Sequence, residues 1–174
     1  MKLQGIHFIG KRTSKKSKQL FNAINPQNNE ILSPEYANAT YLEINQAIGL
    51  ADTAFTTYKN KTPEERAVFL ETIGDEIMNL GDELIEVCNE ETALPAQRLQ
   101  GERSRTVNQL KMFARVVRQG NWLDARIDTP LRERKPMPKP DLRQIHIPLG
   151  AVAVFGASNF PLAFSVAGGD TASA

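Results

Sequence analysis

Apolar residues recur three and four positions apart through the middle of the chain, the spacing that places them on one face of a helix. Four amphipathic helices are therefore predicted, at residues 43–60, 62–80, 82–92 and 97–119. The second has the clearest start, because Thr62 and Glu65 form a Thr-x-x-Glu capping box with Pro63 at the first helical position. We also expect Asp82 to cap the third helix and Gly120 to end the fourth.

Short alternating patterns flank these helices and predict strands. Residues 5–9 read as one strand, and residues 20–32 as a strand, a turn and a returning strand. Alternation resumes at residues 121–127 and 141–147, which would pair with each other. The segment between them, residues 128–140, contains four prolines and is therefore an extended or exposed loop rather than a helix or a central strand.

A strand, a tight turn and a helix are predicted near the end of the sequence. Small and β-branched residues run from Ala151 to Phe155, Gly156 interrupts them, and Pro161 precedes a segment of helix formers and small residues. This order is typical of the start of a parallel α/β unit, in which ligands bind at the carboxyl ends of strands. The predicted fold class is α/β: a helical layer, a protruding strand pair and the first β-α unit of a Rossmann-like parallel sheet.

Composition excludes several classes of function. Lysine and arginine total 21 against 20 acidic residues, and the basic clusters at residues 11–18 and 132–139 lack the interleaved aromatic residues of a nucleic-acid surface. No window approaches the roughly 18 apolar residues of a membrane span, and the N-terminus has no apolar signal core. Neither histidine has ligand-type neighbours at metal-binding spacing. We expect a cytoplasmic protein with no metal, nucleic-acid or membrane partner.

Cys88 is the only cysteine and has two interpretations. A lone cysteine excludes an intramolecular disulfide and is a candidate nucleophile. However, Cys88 lies in the middle of a predicted helix, and the neighbouring Glu86, Glu90 and Glu91 raise a thiol pKa rather than lower it. We therefore expect a buried structural thiol.

The region around the predicted turn resembles a known family. Pro-Leu-Gly at residues 148–150, the apolar strand and Asn-Phe-Pro at residues 159–161 resemble the first cofactor-domain strand and turn of the NAD(P)-dependent aldehyde dehydrogenase superfamily. Residues 156–165, together with residues 101–114, are similar to its NADP-preferring α-ketoglutarate semialdehyde (2,5-dioxovalerate) or long-chain aldehyde dehydrogenases. The resemblance runs from about residue 20 to the last residue.

The resemblance implies an N-terminal fragment of an aldehyde-dehydrogenase fold in three parts. Residues 1–118 would be the helical part of the cofactor-binding domain, residues 119–149 a strand–loop–strand oligomerisation arm, and residues 150–174 a truncated first β-α unit. It also implies a homo-oligomer, a dimer or tetramer, formed through residues 121–147. The family's catalytic cysteine and general-base glutamate have no counterpart here, so the chain alone is expected to be inactive and prone to self-association.

The implied chemistry oxidises an aldehyde to a carboxylic acid through a cysteine thiohemiacetal, whose oxyanion needs preorganised hydrogen-bond donors. Asn159 matches the family's oxyanion-stabilising asparagine. By residue type alone, Asn159 also suits supporting the turn or capping the next helix. The implied substrate is a semialdehyde acid such as α-ketoglutarate semialdehyde, or a fatty aldehyde.

The implied cofactor is NADP or NAD, with NADP favoured by the subgroup. Phe155, Gly156, Ala157, Ser158 and Asn159 match the segment against which the family lays the nicotinamide side of the cofactor. Ala157 and Ser158 stand where the family usually has Pro-Trp, a departure that the subgroup shares. The chain has no Gly-x-Gly-x-x-Gly after the strand, and the family binds its cofactor without one.

Two residues match substrate positions in the family. Phe160 would line the substrate tunnel, or else pack in the core. Arg105 falls by register at another tunnel position, where it would clamp the carboxylate of a semialdehyde acid with two hydrogen bonds, or else it is an exposed helix arginine. The alternative to an enzyme is a non-enzymatic oligomerisation or binding module formed by the helices and the arm.

Overall fold

Residues 3–174, the part of the chain that the computed structural model describes, form five α-helices and six short strands. The helices are α1 (Tyr41–Tyr58), α2 (Pro63–Asn79), α3 (Gly81–Thr92), α4 (Ala96–Gln119) and α5 (Gly169–Ser173). The strands are β1 (His7–Ile9), β2 (Arg12–Ser14), β3 (Leu20–Phe21), β4 (Tyr36–Ala37), β5 (Arg126–Asp128) and β6 (Leu142–Gln144). Residues 1 and 2 lie outside the described residues. They include the start of the predicted domain 1–118 and the start of the N-terminus that is predicted to have no signal core.

Helices α2 and α4 pack against each other more extensively than any other pair of elements in residues 3–174. Gly74 on α2 lies against Val107 and Leu110 of α4, where an added Cβ would already be 3.5 Å from the Val107 side chain. Ala67 and Ala114 are completely buried in the same layer. Small residues on both helices thus let the two backbones approach closely. No helix in this range is long and apolar enough to cross a membrane.

The four predicted helices are confirmed to within two residues at each end. The predicted capping box of α2 is formed: the Thr62 hydroxyl accepts from the Glu65 N–H at 3.2 Å, and the Glu65 carboxylate accepts from the Thr62 N–H at 2.8 Å. The predicted cap of α3 is wrong, because α3 starts at Gly81 and no side chain caps it. Gly120 ends α4 in the left-handed conformation, as expected.

The N-terminal hairpin β1-β2 is held to α1 through Glu43. This carboxylate is only 1% exposed, and it accepts hydrogen bonds from the Ser14 hydroxyl, the Lys16 N–H and the N–H of Thr40, the residue that caps α1. The hydrogen bond from Ser14, followed by those from Thr40, lowers the pKa of Glu43 to about 2. A second hairpin pairs β3 with β4 and contains a bridge between Ile24 and Ile31. The predicted reversal of the chain is present, but the returning strand is Tyr36–Ala37, beyond the predicted residues 20–32, which contribute only the bridge at Ile31.

Residues 121–147 form a protruding hairpin. Strands β5 and β6 pair antiparallel, with Ile127 opposite Arg143, as predicted from their alternation. The proline-rich segment between them is exposed except at the half-buried Lys139, which pairs with Leu131 in a single bridge. The start of this region differs from the prediction, since Asn121–Leu123 is a single 3₁₀ turn rather than strand.

The predicted strand at residues 151–155 and the predicted helix after Pro161 are wrong in this structure. Residues 151–157 have no regular secondary structure, residues 158–168 form successive turns, and only Gly169–Ser173 is helical. A strand exists only when a neighbour pairs with its backbone groups, and none of the described strands lies beside this segment. The first β-α unit is therefore present as sequence but not as a paired strand.

Candidate functional site

Residues 157–164 form a compact turn that lies on helix α4. The Ala157 N–H donates to the Phe164 carbonyl at 2.9 Å, and the Phe164 N–H donates to the Phe160 carbonyl at 3.0 Å. The next segment folds back so tightly that a Cβ at Gly168 would lie 2.6 Å from the Ala163 carbonyl oxygen, closer than backbone atoms allow. Glycine at position 168 is thus a steric requirement of this turn.

Glu102 on α4 anchors one side of the turn. Its side chain is 6% exposed, and its Oε2 accepts hydrogen bonds from the Leu162 N–H at 3.1 Å and the Ala163 N–H at 3.3 Å. One helical turn further on, the Thr106 hydroxyl donates to the Leu162 carbonyl at 2.9 Å. A buried carboxylate is stable only when its oxygens are paired, so these contacts hold the turn in one position on the helix.

Arg98 anchors the other side. Its Nε donates to Glu102 Oε1 at 3.2 Å, and its Nη2 donates to the backbone carbonyl of Asn159 at 2.7 Å. The guanidinium also lies over the Phe160 ring, 5.1 Å from the ring centroid. One side chain therefore contacts the buried carboxylate and two residues of the predicted site, Asn159 and Phe160.

Asn159 is exposed, and no described residue forms a hydrogen bond with its side-chain amide. It does not cap the next helix, because α5 begins after Gly168. The backbone of Asn159 is held while its amide faces solvent, beside a shallow depression that Ser158 and Phe160 also line. A primary amide is a neutral donor over the whole physiological pH range. The oxyanion role stays a prediction with this geometry.

The two predicted substrate residues, Phe160 and Arg105, both contact the ring of Phe164. Phe160 is 39% exposed and meets Phe164 edge to face, with centroids 5.6 Å apart. Arg105 lies over Phe164, 4.8 Å from its centroid, and not over Phe160. No hydrogen-bond acceptor among the described residues contacts the Arg105 guanidinium. Their substrate roles remain predictions.

The predicted cofactor segment, residues 155–159, is exposed throughout, and the Phe155 side chain is 88% exposed. Gly156 lies so close to the turn that a Cβ there would be 3.1 Å from the Phe164 carbonyl oxygen. An exposed backbone beside the Phe155 ring leaves room for a flat ring such as the nicotinamide end of NAD(P), and the cofactor role of these residues stays a prediction. The segment contains no cation for the phosphates, so it fits only that end.

Cys88 is buried together with Ile85 and Leu99, and Leu162 packs against this cluster. Burial is the main cause that raises the pKa of its thiol. The expectation of a buried structural thiol is confirmed, and Cys88 is not an accessible nucleophile. Among residues 3–174, no group of three or more histidine, cysteine, aspartate or glutamate side chains is placed to hold a metal ion.

Sequence analysis missed Arg98 and Glu102. Their separation of four residues, on the helix whose apolar face is buried, indicates an ion pair. Their contacts with residues 159–163 are more than 50 positions away in sequence and have no local signal.

A sequence model described as "Aldehyde dehydrogenase family" matches residues 12–172. An α-ketoglutaric semialdehyde dehydrogenase 2 from Azospirillum brasilense is 51% identical over 175 aligned positions, covering 100% of this chain and 33% of that protein. An α-ketoglutaric semialdehyde dehydrogenase from Acinetobacter baylyi is 54% identical over 139 residues, covering 80% of this chain and 26% of that protein. The chain therefore spans about a third or less of the length of these curated relatives.

Solved structures show the same fold. Proline utilization A from Bdellovibrio bacteriovorus superposes on 97% of this chain, and on 16% of its own, with a TM-score of 0.77 at 24% identity. Succinate-semialdehyde dehydrogenase from Burkholderia pseudomallei superposes on 73% of this chain and 26% of its own, with a TM-score of 0.64 at 23% identity. The α/β class and the incomplete N-terminal part of this fold are thereby confirmed, and the chain belongs to the aldehyde dehydrogenase family.

Proposed function

We propose that this chain forms the N-terminal part of an NAD(P)⁺-dependent aldehyde dehydrogenase that oxidises a semialdehyde acid to the dicarboxylic acid. The observation that carries the proposal is the state of Asn159, whose backbone is held by Arg98 while its side-chain amide has no partner among the described residues. A donor that has no other partner and is attached to a held backbone suits a developing oxyanion.

In the proposed reaction, the Asn159 amide donates a hydrogen bond to the aldehyde oxygen as that oxygen gains negative charge. The donor is neutral, so its contribution does not change with pH in the physiological range. The nucleophile of the reaction is not Cys88, because this thiol is buried and its pKa is raised. The 174 residues by themselves are therefore proposed to lack turnover.

Phe155 to Asn159 would hold the nicotinamide end of the cofactor against their exposed backbone. When bound, the cofactor accepts the hydride that leaves the aldehyde carbon. We further propose NADP over NAD. This preference is supported by the resemblance to the NADP-preferring subgroup and by a 31% identical relative over 60% of the chain, succinate-semialdehyde dehydrogenase [NADP(+)] 2 from Schizosaccharomyces pombe.

The proposed substrate class is an aldehyde that carries a carboxylate. Two relatives, 51% and 54% identical, are named for α-ketoglutaric semialdehyde, which supports this class. Arg105 would bind the carboxylate, since its guanidinium lies beside the turn without an acceptor in the described part of the chain. A fatty aldehyde is the competing substrate, and it would not need Arg105.

The proposal is tested by Asn159→Ala in a full-length dehydrogenase that contains these residues. We expect kcat to fall about 10²- to 10³-fold, the usual loss when one oxyanion donor is removed. Asn108→Ala is the matched control, because Asn108 is an exposed asparagine on α4 and is not among the residues that anchor the turn. An Asn159→Ala variant with the kcat of Asn108→Ala would reject the oxyanion role.

We also propose that the hairpin of residues 121–147 joins copies of this chain. Its apolar side chains face solvent, with Ile127 66% and Ile147 75% exposed, and unpaired strand edges of this kind favour pairing with another strand. Light scattering of the purified chain tests this directly. A monomer at all concentrations would argue against the interface.

A further inference from the structure

Arg98 connects two parts of the turn that no other side chain among the described residues joins. Its Nε binds Glu102 at 3.2 Å, and its Nη2 binds the Asn159 carbonyl at 2.7 Å. The second oxygen of Glu102 holds the N–H groups of Leu162 and Ala163. The two ends of the turn, residue 159 and residues 162–163, are thus connected through one carboxylate and one guanidinium.

Arg98 and Glu102 differ in burial, and this difference shows which end of the link is fixed. Glu102 is 6% exposed, whereas the Arg98 side chain is 42% exposed. The carboxylate is therefore the fixed end of the link, and Arg98 extends from it across the surface to the Asn159 carbonyl and the Phe160 ring. A planar guanidinium suits this geometry, because its nitrogens point at separate acceptors in fixed directions.

The carbonyl of Asn159 matters because its direction sets the ψ angle of that residue. The backbone has only two soft dihedrals per residue, and they set the direction of the Cα–Cβ bond from which χ1 and χ2 then place the amide. A hydrogen bond that fixes the carbonyl therefore limits where the Asn159 amide can lie. Displacement by about 1 Å costs up to about 10²-fold in rate when a group must meet a reacting atom.

We propose that Arg98 is a positioning residue for the Asn159 amide: it holds the Asn159 carbonyl at a fixed distance from the buried Glu102 and thereby orients the amide. The inference rests on the proposed oxyanion role of Asn159. It assigns to Arg98 a role in turnover without contact with the substrate. Lysine cannot replace Arg98, because the guanidinium contacts Glu102 and the Asn159 carbonyl through two separate nitrogens, whereas lysine has a single ammonium nitrogen.

The kinetic test compares Arg98→Met, Arg98→Lys and Asn159→Ala in a full-length dehydrogenase that contains these residues. We expect both Arg98 variants to lower kcat about tenfold while KM changes less than about twofold, because a lost orientation affects the transition state more than substrate binding. Arg115→Met, at an exposed arginine on the same helix, should leave kcat unchanged. Wild-type kcat in Arg98→Met, or full rescue by Arg98→Lys, would overturn the proposal.

A double-variant cycle separates positioning from general destabilisation. If Arg98 acts only through Asn159, Arg98→Met should have no further effect on kcat in an Asn159→Ala background. Effects that multiply would overturn the proposal. If Asn159→Ala alone keeps wild-type kcat, the oxyanion role fails instead, and the cycle shows this separately.

A measurement on the 174-residue chain tests the contact without any activity. The ¹³C resonance of the Asn159 carbonyl should shift in Arg98→Met and in Arg98→Lys, and stay unchanged in Arg115→Met. If the chemical shift of the Asn159 carbonyl is unchanged in both Arg98 variants, the hydrogen bond is absent, and the proposal fails whatever the kinetics show.

Discussion

Two arginines on one helix, seven residues apart, each lie over a phenylalanine of the same turn. Arg98 lies 5.1 Å from the centroid of Phe160, and Arg105 lies 4.8 Å from that of Phe164. They differ in what their nitrogens meet. Arg98 donates to a carboxylate and a backbone carbonyl, whereas the Arg105 guanidinium meets no acceptor in the described residues.

This difference separates two roles that residue type alone does not distinguish. A guanidinium whose nitrogens are already hydrogen bonded holds structure, and its removal frees the groups that it binds. A guanidinium supported only by a ring keeps its donors for a ligand, and its removal affects what binds. We therefore propose that Arg98 acts on the geometry of the turn and that Arg105 acts on the choice of substrate.

The largest expected effect comes from Glu102→Ala, which removes the partner of Arg98 and none of Arg105. The Leu162 and Ala163 N–H groups lose a charged acceptor, so we expect the free energy of unfolding to fall by about 3 kcal/mol, the range for lost hydrogen bonds to a charged group. Urea denaturation of the 174-residue chain measures this. Glu86→Ala, at an exposed glutamate on α3, is the control. A stability equal to that control would mean that Glu102 does not anchor the turn.

An intermediate effect is expected from Arg105→Met in a full-length dehydrogenase. The ratio of kcat/KM for α-ketoglutarate semialdehyde to that for a neutral aldehyde of similar length should fall about twentyfold, because a charge-assisted pair contributes roughly 1.5–3 kcal/mol. Arg115→Met should leave the ratio unchanged. If Arg105→Met also leaves it unchanged, Arg105 is only an exposed helix arginine, and a fatty aldehyde becomes the better candidate substrate.

The smallest effect should come from the ring beneath Arg105. Phe164→Leu keeps an apolar side chain but removes the cation–π contact, which contributes about 0.5–1 kcal/mol at an exposed site. We expect the same kcat/KM ratio to fall about threefold. Phe160→Leu should lower kcat through the Arg98 side of the turn and leave the ratio intact. If Phe160→Leu and Phe164→Leu change kcat and the kcat/KM ratio in the same way, Arg98 and Arg105 do not have different roles.

Local signals in the sequence were enough for the four long helices, α1 to α4, and for the family. The capping box at Thr62 and Glu65, the apolar stripe of α4 and the terminating Gly120 all act within a few residues, so their outcome depends little on the rest of the chain. The Asn-Phe-Pro turn at residues 159–161 could also be recognised from the sequence, because its motif consists of consecutive residues. Burial of Cys88 followed from its place on a helix.

Strands were harder to predict for a physical reason. Residues 151–155 have the composition of a strand, but a strand forms only against a neighbouring backbone, and no described strand is adjacent. Residues 121–147, in contrast, contain both partners within one hairpin, and they pair as their alternation predicted. The strand prediction was therefore right where the partner strand lies in the same hairpin, and wrong where no partner strand lies nearby.

The sequence by itself determined the four long helices α1 to α4, that the chain carries the asparagine turn of an aldehyde dehydrogenase, and that its single thiol is structural. Only the tertiary structure decided that Arg98 is bound and Arg105 is not, since both are arginines on the same exposed face of one helix. The contacts of Arg98 and Glu102 with residues 159–163 join positions about 60 apart in sequence. Such contacts depend on how α4 and the turn pack, which no local pattern encodes.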